Sequence, residues 1–273
     1  MHTETSWRSG DLEDDLQPVL KSNRPSVASE PGGEDDVRLR SGEMNQGASG
    51  LSASDTVQSR RYPTMRTGTS EYDALLGRVL KQIEDPGSAG FVGFTGCRRR
   101  AGVSTIAANV AIRAADQQNG SVLLVEANLM YPRQRQHFGI VEMPGLFEVL
   151  GSAMPIDKAI APTRVANLSL LGAGMGRMHT PPVIMQDALE GFVQELRERF
   201  SLVVFDLPSD ESLSHWAPLV GYLDSLLLVI ASEETTQGDL LRVQNRCAVD
   251  GVKITGSILN RYRSYIPRFL RRV

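Results

Sequence analysis

The sequence predicts an α/β fold in three layers: a mainly parallel sheet with helices on both faces, preceded by a disordered N-terminal segment. Three observations predict it. Short strands that are apolar throughout alternate with amphipathic helices, the pattern of a sheet covered on both sides. The composition changes abruptly near residue 67. A glycine-bounded loop joins the first strand to an alanine-rich helix.

Residues 1–66 contain nine Leu, Ile, Val or Phe residues, ten serines and the acidic run Glu34-Asp35-Asp36. Such a segment buries too little apolar surface to offset the entropy of ordering it, so it is expected to be a disordered leader. The domain is expected over 67–260, with 261–273 as a basic aromatic tail. Its first helix follows Ser70, with Leu75, Leu76, Val79, Leu80 and Ile83 at helical spacing, and Asp85-Pro86-Gly87 stops it. Strands are predicted at Phe91 to Thr95, Val122 to Glu126, Leu168 to Leu171, Leu202 to Asp206, Leu226 to Ile230 and Ile254 to Leu259. Helices are predicted over roughly 104–117, 183–199, 212–221 and 238–249.

Bulk properties exclude several classes. With 29 Lys and Arg against 32 Asp and Glu, the net charge of −3 argues against a globally basic nucleic-acid coat, and nucleic acid is not an expected partner. Cys97 and Cys247 are too few for a disulfide scaffold and fit a reducing compartment. The longest aliphatic run, Leu226 to Ile230, falls far short of the ~20 residues of a membrane span. The first residues lack the apolar core of a signal peptide, and a cytoplasmic location is expected.

The first strand runs into Gly96-Cys97-Arg98-Arg99-Arg100-Ala101-Gly102-Val103-Ser104-Thr105, and the helix Ile106-Ala107-Ala108-Asn109-Val110-Ala111 follows. Strand, glycine-bounded loop, Ser-Thr and helix is the layout of a P-loop, whose backbone N–H groups and helix N-terminus hold phosphates. Ser104 stands where the Mg²⁺-binding hydroxyl belongs. Val103 stands in the place of the lysine, and five residues rather than four separate the two glycines. A plain strand-to-helix turn capped by Ser104 or Thr105 is the alternative reading. Two further strands support the P-loop: Val122 to Glu126 ends in Glu126-Ala127-Asn128, and Leu202 to Asp206 ends in Asp206-Leu207-Pro208. Both place polar side chains at carboxyl ends of strands, where open α/β sheets bind ligands.

Taken in this order, the segments resemble those of the bacterial tyrosine kinases of capsule and exopolysaccharide synthesis, P-loop proteins of the MinD/ParA-like ATPase group. The resemblance runs from about residue 67 to 262. Phe94-Thr95-Gly96 to Ala111 resembles the Walker A loop and its helix, Val122 to Pro132 the second acidic strand motif, and Leu202 to Pro208 the Walker B strand. Gly145-Leu146-Phe147-Glu148-Val149-Leu150-Gly151 resembles a Gly-Leu-x-x-Val-Leu segment. Asn167 to Gly174 resembles Asn-Leu-x-x-Leu-x-x-Gly, and Gly251 to Asn260 the last strand, ending in an Asn near the adenine.

The resemblance implies ATP and Mg²⁺ as cofactors. Gly96, Arg98, Gly102, Val103, Ser104, Thr105 and Asn260 then surround the nucleotide, Arg98 at the position of an extra signature lysine. Ser104 and Asp206 hold the metal, and Glu126 and Asp206 are the catalytic acids, Glu126 as a base or second metal ligand. The departures fall on this apparatus. The lysine is Val103, the first acid is the longer Glu126, the second is the uncharged Asn128, and of a tyrosine cluster only Tyr262 and Tyr265 remain. A degenerate kinase-like protein with weak or no ATP turnover is therefore expected, regulating or scaffolding a membrane chain-length regulator. An active tyrosine kinase and a MinD/ParA-type positioning ATPase are the alternatives. A homo-oligomer is a further expectation. So is contact between 261–273, with its five arginines, and an anionic membrane surface, which would place the protein at the inner face of the membrane.

Overall fold

The strands form one sheet whose central members are buried on both faces and whose edge members are partly exposed. In the computed structural model the order is β3-β4-β2-β5-β1-β6-β7. The structure describes residues 69–83, 88–117, 120–175, 184–209 and 211–262. The strands are β1 Gly90–Gly96, β2 Val122–Glu126, β3 Ile160–Pro162, β4 Leu168–Leu171, β5 Leu202–Asp206, β6 Ser225–Ala231 and β7 Gly256–Asn260. All neighbours run parallel except β3, which pairs antiparallel with β4. The helices are α1 Thr69–Leu80, α2 Val103–Gln117, α3 Gln134–Phe138, α4 Leu146–Ser152, α5 Gln186–Arg199, α6 Ala217–Val220 and α7 Gln237–Val249. A 3-10 turn, Glu211–Trp216, leads directly into α6, so the helix predicted over 212–221 is half 3-10 and half α.

Strand alternation divides the core into two layers. Val92, Phe94, Val122, Leu124, Leu202 and Val204 face α2, whose Ile106, Val110 and Ala114 complete one cluster. Phe91, Leu123, Val125, Val203 and Phe205 face α5, whose Leu189, Phe192, Val193 and Leu196 complete the other. Helix α1 adds Leu76 and Val79 to the α2 layer. It is also tied to α2 by polar contacts: Arg113 pairs with Asp73 at 2.7 Å, and Gln117 Nε2 donates to Asp73 at 2.6 Å.

Four short elements were not predicted: β3, α3, α4 and a 3-10 turn at Ile156–Lys158. Helix α4 opens at Gly145 and carries the Gly-Leu-x-x-Val-Leu segment. Its first turn meets the loop after β4, where Leu146 N donates to Gly172 O at 2.8 Å and Phe147 N to Ala173 O at 3.0 Å. The two backbones approach so closely that a Cβ on Gly145 would lie 2.1 Å from Gly172 O. The predicted leader over 1–66, the Asp85-Pro86-Gly87 stop, the start of the helix at 183, and the tail beyond Tyr262, including Tyr265, lie outside the described residues. Among the described residues no helix is long and apolar enough to cross a membrane.

Candidate functional site

The carboxyl ends of β1, β2 and β5 lie side by side, with Phe94 and Glu126 both in register with Asp206. The loop from Gly96 to Gly102 leaves β1 here and α2 begins at Val103. Two of its residues take left-handed backbone, Gly102 at φ 100° and Arg100 at φ 65°. Gly102 also has no room for a side chain, because a Cβ would sit 2.2 Å from Asn260 Nδ2. The last strand grips the loop: Asn260 Nδ2 donates to Ala101 O at 2.8 Å and Arg261 to Arg100 O at 2.8 Å.

Beside the start of α2 lies a cleft of about 500 Å³, lined by Arg99, Arg100, Ala101, Gly102, Val103, Ser104, Thr105, Asn128, Tyr131, Arg133, His137, Ser209 and Arg261. Four guanidinium groups face it and no carboxylate does. Arg261 is paired with Glu234 at 2.6 Å, and the Arg99 guanidinium lies 3.6 Å from the centre of the Tyr131 ring. Arg100 and Arg133 form no ion pair among the described residues. Val103 is 5% exposed and packs with Phe94, Ala101 and Ala107, an aliphatic wall where the motif has a cation. Burial and the nearby Arg133 charge both lower the pKa of His137, so its imidazole is neutral near pH 7.

The two acids stand behind this cleft rather than in it; both are 0% exposed. Glu126 Oε1 accepts from Arg133 N and from Gln134 N, the latter at 2.7 Å, and Oε2 accepts from Ala173 N at 3.2 Å. It closes the loop after β2 onto the loop after β4. Gln134, also fully buried, passes its Nε2 to Asp206 Oδ2 at 2.7 Å and to the Ser104 carbonyl at 2.9 Å. Burial raises the Glu126 pKa against the three backbone N–H groups and Arg135. Burial pushes Asp206 up to about 7; the Gln134 amide opposes this, the Glu126 charge adds to it, and nearby Ser104 opposes it. Asp206 Oδ1 and Gln134 Oε1 make no well-formed hydrogen bond, although the Ser104 hydroxyl lies near enough to Asp206 to lower its pKa.

Ser104 lines the cleft, but the acids that would join it do not fit Mg²⁺ well. The ion needs oxygen ligands open to the phosphates, usually one or two carboxylates. Glu126 spends both oxygens on backbone amides, and Asp206 spends one on an amide donor. Its other oxygen is enclosed behind the cleft and does not open on it. Asn128, the polar residue of that motif facing the cleft, is uncharged and accepts from Tyr131 N at 3.3 Å. Among the described residues no three His, Cys, Asp or Glu side chains converge.

Of the residues singled out in the sequence, Gly102, Val103, Ser104 and Thr105 line the cleft. Arg98 does not: it donates to the Glu234 carbonyl at 2.5 Å and, with Gly96, lines a second groove of about 600 Å³ beside Leu213, Arg242 and Arg246. Asn260 holds the loop with its amide, and its Oδ1 accepts from Arg261 N at 2.9 Å. Sequence reading missed Arg133, Gln134, Tyr131 and His137. The five-residue α3 is too short for a periodic signal, and only its distance beyond the Glu-x-Asn strand end pointed to the site.

No protein-family model matches the chain. It is 26% identical over 159 residues to the tyrosine-protein kinase ptk of Acinetobacter johnsonii, a match covering 58% of this chain and 22% of ptk. It is 24% identical over 223 residues to the tyrosine-protein kinase YwqD of Bacillus subtilis, covering 81% of this chain and 88% of YwqD. The kinase domain of the Escherichia coli tyrosine kinase Etk superposes with a TM-score of 0.62 at 19% identity, over 72% of this chain and 78% of that one. MinD of Pyrococcus horikoshii, solved with Mg-ADP, gives 0.53 at 22% identity, over 67% and 75%. The chain is thus a sequence relative of bacterial tyrosine kinases and carries the P-loop NTPase-like fold that they share with MinD.

Proposed function

We propose that this chain is a degenerate tyrosine-kinase-like P-loop protein of exopolysaccharide or capsule synthesis. It holds nucleotide phosphates weakly, turns ATP over slowly or not at all, and regulates or scaffolds a membrane chain-length regulator. One observation carries the reading: the cleft presents neither a lysine nor a carboxylate, because Val103 is aliphatic, Asn128 is neutral, and both acids are committed to amides. Phosphoryl transfer is mostly positioning and charge stabilisation. Loss of one charge-stabilising donor typically costs about 3–4 kcal/mol of transition-state stabilisation. Meanwhile the loop, α2 and the two core layers are fully formed, which supports a retained binding scaffold.

The partner half of the proposal draws on what such relatives are named for, tyrosine kinases and, in one solved chimaera, CapA2B2. The test has two readouts. The protein is incubated with Mg-ATP and probed for phosphotyrosine, and its binding to the cytoplasmic segment of the chain-length regulator is measured by calorimetry. Binding without phosphotyrosine is expected. Phosphotyrosine formation would establish an active kinase instead, and absence of binding would remove the scaffolding role.

A further inference from the structure

We propose that the cleft at the start of α2 binds a polyphosphate anion without a divalent cation, its guanidinium groups supplying the charge that a metal supplies elsewhere. The inference rests on the proposed reading of the cleft as a phosphate site, and goes beyond it in the metal.

Three observations carry it. The first is the charge of the lining: Arg99, Arg100, Arg133 and Arg261 face the same space with no carboxylate among them, and of these Arg261 is paired with Glu234 while Arg100 and Arg133 form no ion pair among the described residues. A triphosphate bears a charge of roughly −4, and each guanidinium can make paired, charge-assisted hydrogen bonds to phosphate oxygens. The same charges repel a divalent ion. The second is the state of the acids. Gln134 brings an N–H donor to Asp206, where a metal or its water would bring positive charge, and Glu126 is saturated by backbone N–H groups. The third is the floor. The first residues of the 15-residue α2, Val103, Ser104 and Thr105, line the cleft, and the dipole at a helix start favours an anion. Arg100 is held at φ 65° with its carbonyl fixed by Arg261, so contacts within the protein set the loop's shape without a metal.

The probes are ATP and inorganic tripolyphosphate, titrated calorimetrically into the full chain, each in excess EDTA and in excess MgCl₂. Both are expected to bind in EDTA, and Mg²⁺ is expected to leave the affinity unchanged or weaken it several-fold. Equal affinity for the two probes would identify free polyphosphate as the ligand, and tighter ATP would identify a nucleotide. Arg100→Ala and Arg133→Ala should each weaken binding by at least roughly ten-fold, with unchanged thermal melting of the free proteins as the control for folding. A several-fold gain in affinity from Mg²⁺, or no binding of either probe in EDTA, would overturn the proposal. Phosphate release in the Mg²⁺ samples is recorded alongside: brisk release counts against the proposed function, whereas a metal requirement without release removes only this inference.

Discussion

Val103 and Asp206 decide most at the scale of single residues. Val103 forms the cleft wall while 95% covered, so a lysine there can lay its stem along the same apolar path and bring its ammonium to the phosphates. Val103→Lys should therefore raise ATP affinity, by the ~1–3 kcal/mol of one charged hydrogen bond, or roughly five- to 150-fold in dissociation constant. Calorimetric titration of both proteins checks it. Asp206 supplies a pH prediction. Its pKa is raised from 3.8 to about 7, so between these values the folded protein binds more protons than the unfolded chain. Stability should therefore fall as pH rises from about 4 to 7 and level off above, the ceiling being on the order of 4 kcal/mol at 1.36 kcal/mol per unit. Asp206→Asn, which carries no charge, should flatten that slope in urea unfolding curves recorded across the range. A slope that is the same in both proteins would mean that Asp206 is not the group responsible. Neither Gln134 nor the occupied state of Glu126 was legible in the sequence, because both depend on which backbone amides the folded loops bring to the strand ends.

Among the elements, legibility followed length and burial. Strands β2, β4 and β5 were predicted to their end residues because a run apolar on both faces has one reading in an alternating α/β pattern. Strand β3 escaped because three residues ending in proline carry no pattern, and α3 because Gln-Arg-Gln-His-Phe has no apolar face. The glycine of α4 was noticed only through resemblance, yet the structure gives it a physical reason. Gly145→Ala would drive a methyl into the Gly172 carbonyl and should destabilise the protein by about 2 kcal/mol or more, separating α4 from the loop after β4. Chemical denaturation checks the loss, and an unchanged midpoint would show that the loop yields freely.

For the whole molecule, the described part is a sheet covered by two helical layers, with its candidate site at the carboxyl ends of β1, β2 and β5. Layer order and site position were legible because both follow from strand alternation and from the rule that α/β sheets bind ligands at that end. The chemistry was less so, since it turns on side chains that fold back into the core rather than face the cleft. The basic tail remains a proposal at this scale. Removing 261–273 should reduce sedimentation with vesicles containing anionic lipid, and equal sedimentation of both forms would dispose of that contact.

The central claim is that the fold of a phosphoryl-transfer enzyme persists here without its charges. Steady-state phosphate release from saturating Mg-ATP by the unmodified chain tests it most directly. Release at the level of the buffer blank is predicted, far below the ~1–100 s⁻¹ usual for kinases. Release within that range, abolished by Ser104→Ala, would contradict it and return Ser104 to the role of a working metal ligand.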